Sequence, residues 1–185
     1  MALLIALFFS VPAGAQDFRT GIAVSPANIG LSADIPALSP FEFNRISAGA
    51  DMYGILMGRT DRPGVSASYL HDFIFHISGN EGLIASFYAG AGASAGWVRD
   101  FEQGSFNPVD NTLKRDPGVM AALSGNIGCL LTFPGRSISV CVDMTGSFGG
   151  FARKNKDNGS TLLSLYHNGI YRIMYPHVII MMNLR

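Results

Sequence analysis

Residues 83 to 98, LIASFYAGAGASAGWV, alternate strictly, and this alternation constrains the fold more than any other feature. One register reads Leu83, Ala85, Phe87, Ala89, Ala91, Ala93, Ala95, Trp97. The other reads Ile84, Ser86, Tyr88, Gly90, Gly92, Ser94, Gly96. A period of two defines a β-strand with two unlike environments. Carried through Asp100, the pattern spans roughly 50 Å of extended chain, well past the usual strand of a water-soluble domain. An apolar face backed by a small, polar face suits a wall between lipid and a narrow polar interior.

The pattern recurs. In Gly64–Ser78, Val65, Ala67, Tyr69, Phe73, Phe75 and Ile77 oppose Ser66, Ser68, Asp72, His76 and Ser78. In Gly118–Phe133, Val119, Ala121, Leu123, Ile127, Cys129 and Leu131 oppose Ala122, Ser124, Asn126, Gly128 and Thr132. In Ser137–Phe151, Ile138, Val140, Val142, Met144 and Phe148 oppose Ser139, Asp143, Thr145 and Ser147. Asn44–Gly58 sets Ile46, Ala48, Ala50, Met52 and Leu56 against Arg45, Ser47, Gly49, Asp51 and Tyr53. Strands at 23–34 and 160–166, with a last one carrying Val178, Ile180, Met182 and Leu184, bring the set to about eight. Turn signals separate the runs at Thr60–Gly64, Gly79–Gly82, Phe133–Arg136 and Asn155–Gly159. Short links between long strands imply antiparallel hairpins. The predicted fold is all-β: an antiparallel up-and-down barrel of about eight strands, crossing a membrane.

Charge separates this reading from a lipocalin-like soluble barrel. Charged residues are 14% of the chain, against roughly 25% in soluble domains. A water-facing sheet would carry Lys and Glu where these strands carry Ser, Gly, Thr and Asn. After the amino terminus no apolar run reaches the ~18 residues of a spanning helix, which leaves a closed barrel as the way across. The formal net charge is zero, so a nucleic-acid partner has no electrostatic support. Residues 3–11, LLIALFFSV, followed by Ala13-Gly14-Ala15, fit a secretory signal over 1–15, with the barrel over 16–185. No Lys or Arg precedes Arg19. Cys129 and Cys141 fall on opposite faces, so free thiols are expected, and no metal or cofactor motif is present.

The interior face collects Arg45, Asp51, Asp72, His76, Asn126 and Asp143. In a narrow barrel such charges pair, and the expectation is a network that plugs the interior. About eight strands leave room for side chains or one small ligand. Tyr69, Trp97, Tyr171 and Tyr175 are expected as interface aromatics at the headgroups, with Tyr88 the weakest member because it lies on the interior register. A catalytic alternative has few candidates. His71 and Asp72, with Ser68 as the nearby nucleophile, are one set, but as neighbours His71 and Asp72 face opposite ways, and His167 near Ser164 has no acid close in sequence. The links 35–41 and 168–176 are candidate recognition loops. Counting strands from Ala23 puts the longest link, Phe101–Pro117, after the fourth strand, at the end where outer-membrane barrels keep links short.

Three stretches, FYAGAGASAGWVRD (87–100), ALSGNIGC (122–129) and NGIYRIMYPHVIIMMNL (168–184), resemble the small outer-membrane β-barrel proteins of Bacteroidetes-type bacteria. The resemblance covers roughly residues 20 to 185 and implies an eight-stranded barrel in the bacterial outer membrane, with outer-membrane lipid as its surroundings. It implies no reaction, and a structural or surface-interaction role is the expectation. A barrel enzyme acting on lipid A acyl chains is the alternative. Such barrels usually end on an aromatic residue, where this chain has Met182-Asn183-Leu184-Arg185.

Overall fold

The computed structural model describes residues 18–26, 28–56, 61–99, 117–154, 159–167 and 176–184. Nine strands form one antiparallel sheet: β1 (Phe18–Ser25), β2 (Asn28–Pro36), β3 (Glu42–Asp51), β4 (Gly64–Asn80), β5 (Leu83–Val98), β6 (Gly118–Thr132), β7 (Ile138–Lys154), β8 (Thr161–His167) and β9 (His177–Leu184). Each of β1 to β7 pairs with the next, and the ring closes where β9 lies between β7 and β1. No helix among the described residues is long and apolar enough to cross a membrane.

The wall has eight staves because the last is built from two strands. β8 pairs with the upper part of β7, from Lys154 to Phe148, and β9 pairs with the lower part, from Asp143 to Ile138. Nine residues separate His167 from His177, while four separate Phe148 from Asp143 on the neighbouring stave.

This arrangement corrects the sequence reading in two places that offset each other. The expected strand at 23–34 is the β1–β2 hairpin. Its turn is set by Ser25, whose Oγ accepts the Asn28 amide at 2.9 Å, so Pro26 sits in a turn rather than interrupting a strand. The expected seventh and eighth strands, in turn, share one stave. The count of eight stands, but every strand from β3 onward moves one place along. Phe101–Pro117 therefore follows the fifth strand, at the end opposite Phe18 and Leu184. The links 52–63, 99–117 and 155–160 all lie at that end, while 37–41, 81–82 and 133–137 lie at the end of the chain termini. The candidate recognition segment 35–41 thus belongs to the terminal end, and Ile35 and Pro36 are part of β2. The strand expected over 44–58 stops at Asp51 and gives way to a single helical turn, α1 (Tyr53–Leu56).

Local chemistry explains the tight links. Phe133-Pro134-Gly135-Arg136 closes with the Arg136 amide donating to the Phe133 carbonyl at 3.0 Å, and Gly135 takes a φ of 78°. Proline at the second position and a left-handed glycine at the third define a type II turn.

The register sets the tilt. Val24 pairs with Val178, which faces Val142 on β7. The other way round, through Ile29, Ala50, Val65, Trp97 and Val119, the same line of partners reaches Ala152, ten residues further along β7. A stagger of this kind inclines the strands by about 35–45°.

Candidate functional site: the charged interior

Every second side chain of each stave points inward, and on the terminal side of Leu70 these converge on Arg45. Asp34 and Arg45 are direct cross-strand partners on β2 and β3. Arg45 Nε donates to Asp34 Oδ1 at 2.8 Å, and Nη2 donates to Asp34 Oδ2 at 3.3 Å. Nη1 donates to Tyr88 Oη at 2.8 Å and to Asp143 Oδ2 at 2.6 Å. Nη2 also donates to Cys141 Sγ at 3.3 Å. All five guanidinium hydrogens are thereby used. The Tyr88 hydroxyl passes its own hydrogen to Asp143 Oδ2 at 3.0 Å, which leaves the Cys141 thiol as donor in its 2.7 Å contact with Tyr88 Oη. Phe43 packs against the guanidinium at 5.3 Å and meets Tyr88 edge-on, also at 5.3 Å. Arg45 is 2% exposed and Tyr88 is 0% exposed, so bulk solvent does not pass this level.

Two glycines make the convergence possible. Tyr88, Gly128 and Asp143 are in register on β5, β6 and β7. A Cβ at position 128 would stand 2.5 Å from Tyr88 Oη and 2.6 Å from Asp143 Cβ. The phenol therefore reaches across β6 only because nothing projects from it. Asp72, Gly90 and Asn126 form a second such row on β4, β5 and β6. Here a Cβ at position 90 would meet both the Asp72 carboxylate and Asn126 Oδ1. Asp72 lies 3.8 Å from Arg45 Nε. Arg19 and His177 flank the cluster, Arg19 at 3.5 Å from Asp34 and His177 Nδ1 at 3.3 Å from Asp143 Oδ1.

Beyond Arg45, toward the long links, the interior changes character. A cavity of about 150 Å³ is lined by Ser47, Ser66, Ser68, Ser94, Ser124, Thr145 and Ser147, with Arg45, Asp143 and His177 also contributing. Ser124 Oγ lies 2.8 Å from both Ser94 Oγ and Ser147 Oγ, and Ser32 Oγ lies 2.9 Å from Ser47 Oγ. Past the serines, Val98, Met120, Phe151 and Tyr166 form a second buried apolar layer.

Of the residues expected inside, Arg45, Asp72, Asn126 and Asp143 come together around the guanidinium and its glycine gaps. Asp51 points inward but lies at the far end of β3, on the cavity wall. His76 is a correction. The β4–β5 register slips between Ile74 and His76, so Phe75 is an extra residue and the phase reverses. His76 is therefore paired with outward-facing Phe87 and exposed, its ring 5.9 Å from that of Phe87. Sequence reasoning missed Asp34, Tyr88 and Cys141 as members of the network. Tyr88 was legible from its register opposite Gly128, but Asp34 required the β1–β2 turn. His71 faces outward, whereas Asp72 and Ser68 face inward, so these three do not converge.

The outer wall is apolar over most of its area. Ile22, Leu31, Val65, Phe73, Leu123, Ile127, Phe148, Leu165, Ile180 and Met182 are all at least half exposed, and the pattern continues around the ring. Trp97 stands outward at the next-to-last position of β5, near the long-link end. Tyr69 stands outward in the middle of the wall, and its hydroxyl donates to Asn44 Oδ1 at 2.7 Å instead of reaching a rim. Tyr171 and Tyr175 lie outside the described residues. Cys129 and Cys141 are free and face opposite sides of β6 and β7.

No family model matches the chain, and no curated protein matches it. Among solved structures, it is similar to the N-terminal β-barrel domain of Pseudomonas aeruginosa OprF. The identity is 13% and the TM-score 0.47, over 91% of this chain and 96% of that one.

Proposed function

We propose that the chain is a bacterial outer-membrane barrel with a structural or surface-interaction role. The observation that carries this reading is the inversion of the wall: large apolar side chains face out around the ring, while Arg45, Asp34, Asp72 and Asp143 are buried within. A soluble barrel would be built the other way round. In a bilayer the same arrangement sets apolar groups against lipid and pairs the edge of β1 with β9. The placement of the long links at one end supports the same reading, because outer-membrane barrels keep their periplasmic turns short. On this reading the links 52–63, 99–117 and 155–160 face the cell exterior and are where a surface ligand would be met, while lipid of the outer membrane covers the wall. The three motifs of the sequence support a Bacteroidetes-type origin.

Cell fractionation together with heat-dependent gel mobility tests the proposal. The expected outcome is recovery in the outer-membrane fraction, solubility only with detergent, and a folded band that shifts on boiling. A folded protein that is monodisperse in plain buffer would overturn it.

A further inference from the structure

One part of the outer wall is not apolar. Glu42, Asn44 and His71 face outward on β3 and β4 and form a polar stripe with Tyr69. Tyr69 Oη lies 2.7 Å and His71 Nδ1 3.0 Å from the same oxygen, Asn44 Oδ1. His71 Nε2 lies 3.8 Å from Glu42 Oε2. The stripe borders the apolar belt. Ile46 and Val65 are exposed on its long-link side, and Phe73 on its terminal side, ahead of the bulge at Phe75 and the outward-facing His76. Ionisable side chains at such a position are rare against lipid and mark a functional surface.

The hydrogen bonding shows what the stripe lacks. With His71 in its Nδ1–H tautomer both neighbours donate to Asn44 Oδ1, so the two hydrogens on Nδ2 have no acceptor among the described residues, and lipid tails offer none. The Glu42 carboxylate supplies acceptors on the same face. A surface that presents an unmet donor beside an acidic acceptor is complementary to itself, which is what a two-fold contact between identical chains requires. A second copy inserted in the same orientation also places its own stripe at the same depth. The neighbouring outer face of β5 is smooth, with Ala89, Ala91 and Ala93 in register with Phe73, His71 and Tyr69. Small residues let two walls approach closely enough for hydrogen bonds to form. The far side of the barrel carries Phe148, Leu163 and Leu165 instead, while Leu123 on β6, in register with Ala93, bounds the smooth face.

We infer that the outer face of β3 to β5 is the docking surface for a second copy of this chain within the membrane, with Asn44 donating across a two-fold axis to an acidic or amide oxygen of the second copy. This inference rests on the membrane reading above.

The test uses the full chain, refolded in mild detergent and in lipid nanodiscs. Mass is measured by light scattering, and folding is checked by heat-dependent mobility. The wild-type chain is expected to dimerise, and Asn44→Leu, which matches its lipid-like surroundings, is expected to fold and to associate about tenfold more weakly. Ala91→Cys, on the same face beside His71 and in a Cys129→Ser background, is expected to form an intermolecular disulfide, whereas Leu163→Cys in the same background is not. A folded wild-type monomer in both environments would overturn the inference, as would equal cross-linking from Leu163→Cys and Ala91→Cys. Solubility in plain buffer would instead overturn the membrane reading.

Discussion

On the terminal side of Leu70 the barrel interior is packed around one guanidinium; on the other side seven serine and threonine hydroxyls line a cavity of about 150 Å³. The same eight staves supply both regions, so the difference lies in what their inward positions carry. In the first, each group fixes the next: Arg45 holds Asp34, Asp143, Tyr88 and Cys141, and Tyr88 in turn holds Asp143. Removing one member strands several buried partners. In the second, serines bond to serines across open space, so a lost hydroxyl leaves room for a neighbour to rotate or for water to enter. One half resembles a clamp and the other a lining.

The comparison breaks most readily at Arg45. Arg45→Met leaves Asp34 and Asp143 buried beside an apolar side chain, and the expected loss is about 3–5 kcal/mol, read from urea titration of the folded band in detergent. A loss as small as that of a cavity serine would remove the distinction between the two regions. Gly128→Ala comes next. Its methyl group meets Tyr88 Oη and Asp143 Cβ, and crowding of this kind costs about 1–3 kcal/mol by the same titration. Ser124→Ala removes the contacts to Ser94 and Ser147 and should cost about 1 kcal/mol. Ser68→Ala, on the cavity wall, should stay within about 0.5 kcal/mol. A labelling experiment sharpens the same contrast without a stability change. Cys141 is 0% exposed within the clamp, so a maleimide should reach it only after unfolding. Cys129, on the outer wall and partly exposed, should label in the folded protein once detergent allows access.

Most of the wall was legible in the sequence, because alternation reports phase directly. The alanine register of β5 faces out, Tyr88 faces in, and the two cysteines part to opposite sides, all as the period of two requires. What alternation does not report is where it restarts. Pro26 reads equally as a break within a strand or as the corner of a hairpin, and the two readings differ by one place for every later strand. Phe75 adds one residue without changing the composition of β4, so regular alternation assigns His76 to the wrong face. Arg45 and Asp143 could be assigned to the interior singly, but their meeting depends on a ten-residue stagger summed over the whole ring. Asp34 joined only once its hairpin was known. Pairwise geometry of this kind is written in turns and register, which composition scarcely marks.

The seam between β1 and β9 has a consequence for the order in which the wall can be made. Phe18 meets Leu184 and Val24 meets Val178, so the joint brings together the first and last described strands. A chain still missing β9 carries two raw strand edges, and in the membrane proposed for it each unmet backbone group there costs several kcal/mol. The entropy of joining distant ends rises only slowly with their separation, so the late joint is cheap relative to the edges it removes. Growth of the sheet strand by strand is therefore uphill until the final pairing, and the ring should form in a single cooperative step that waits for the last eight residues of wall.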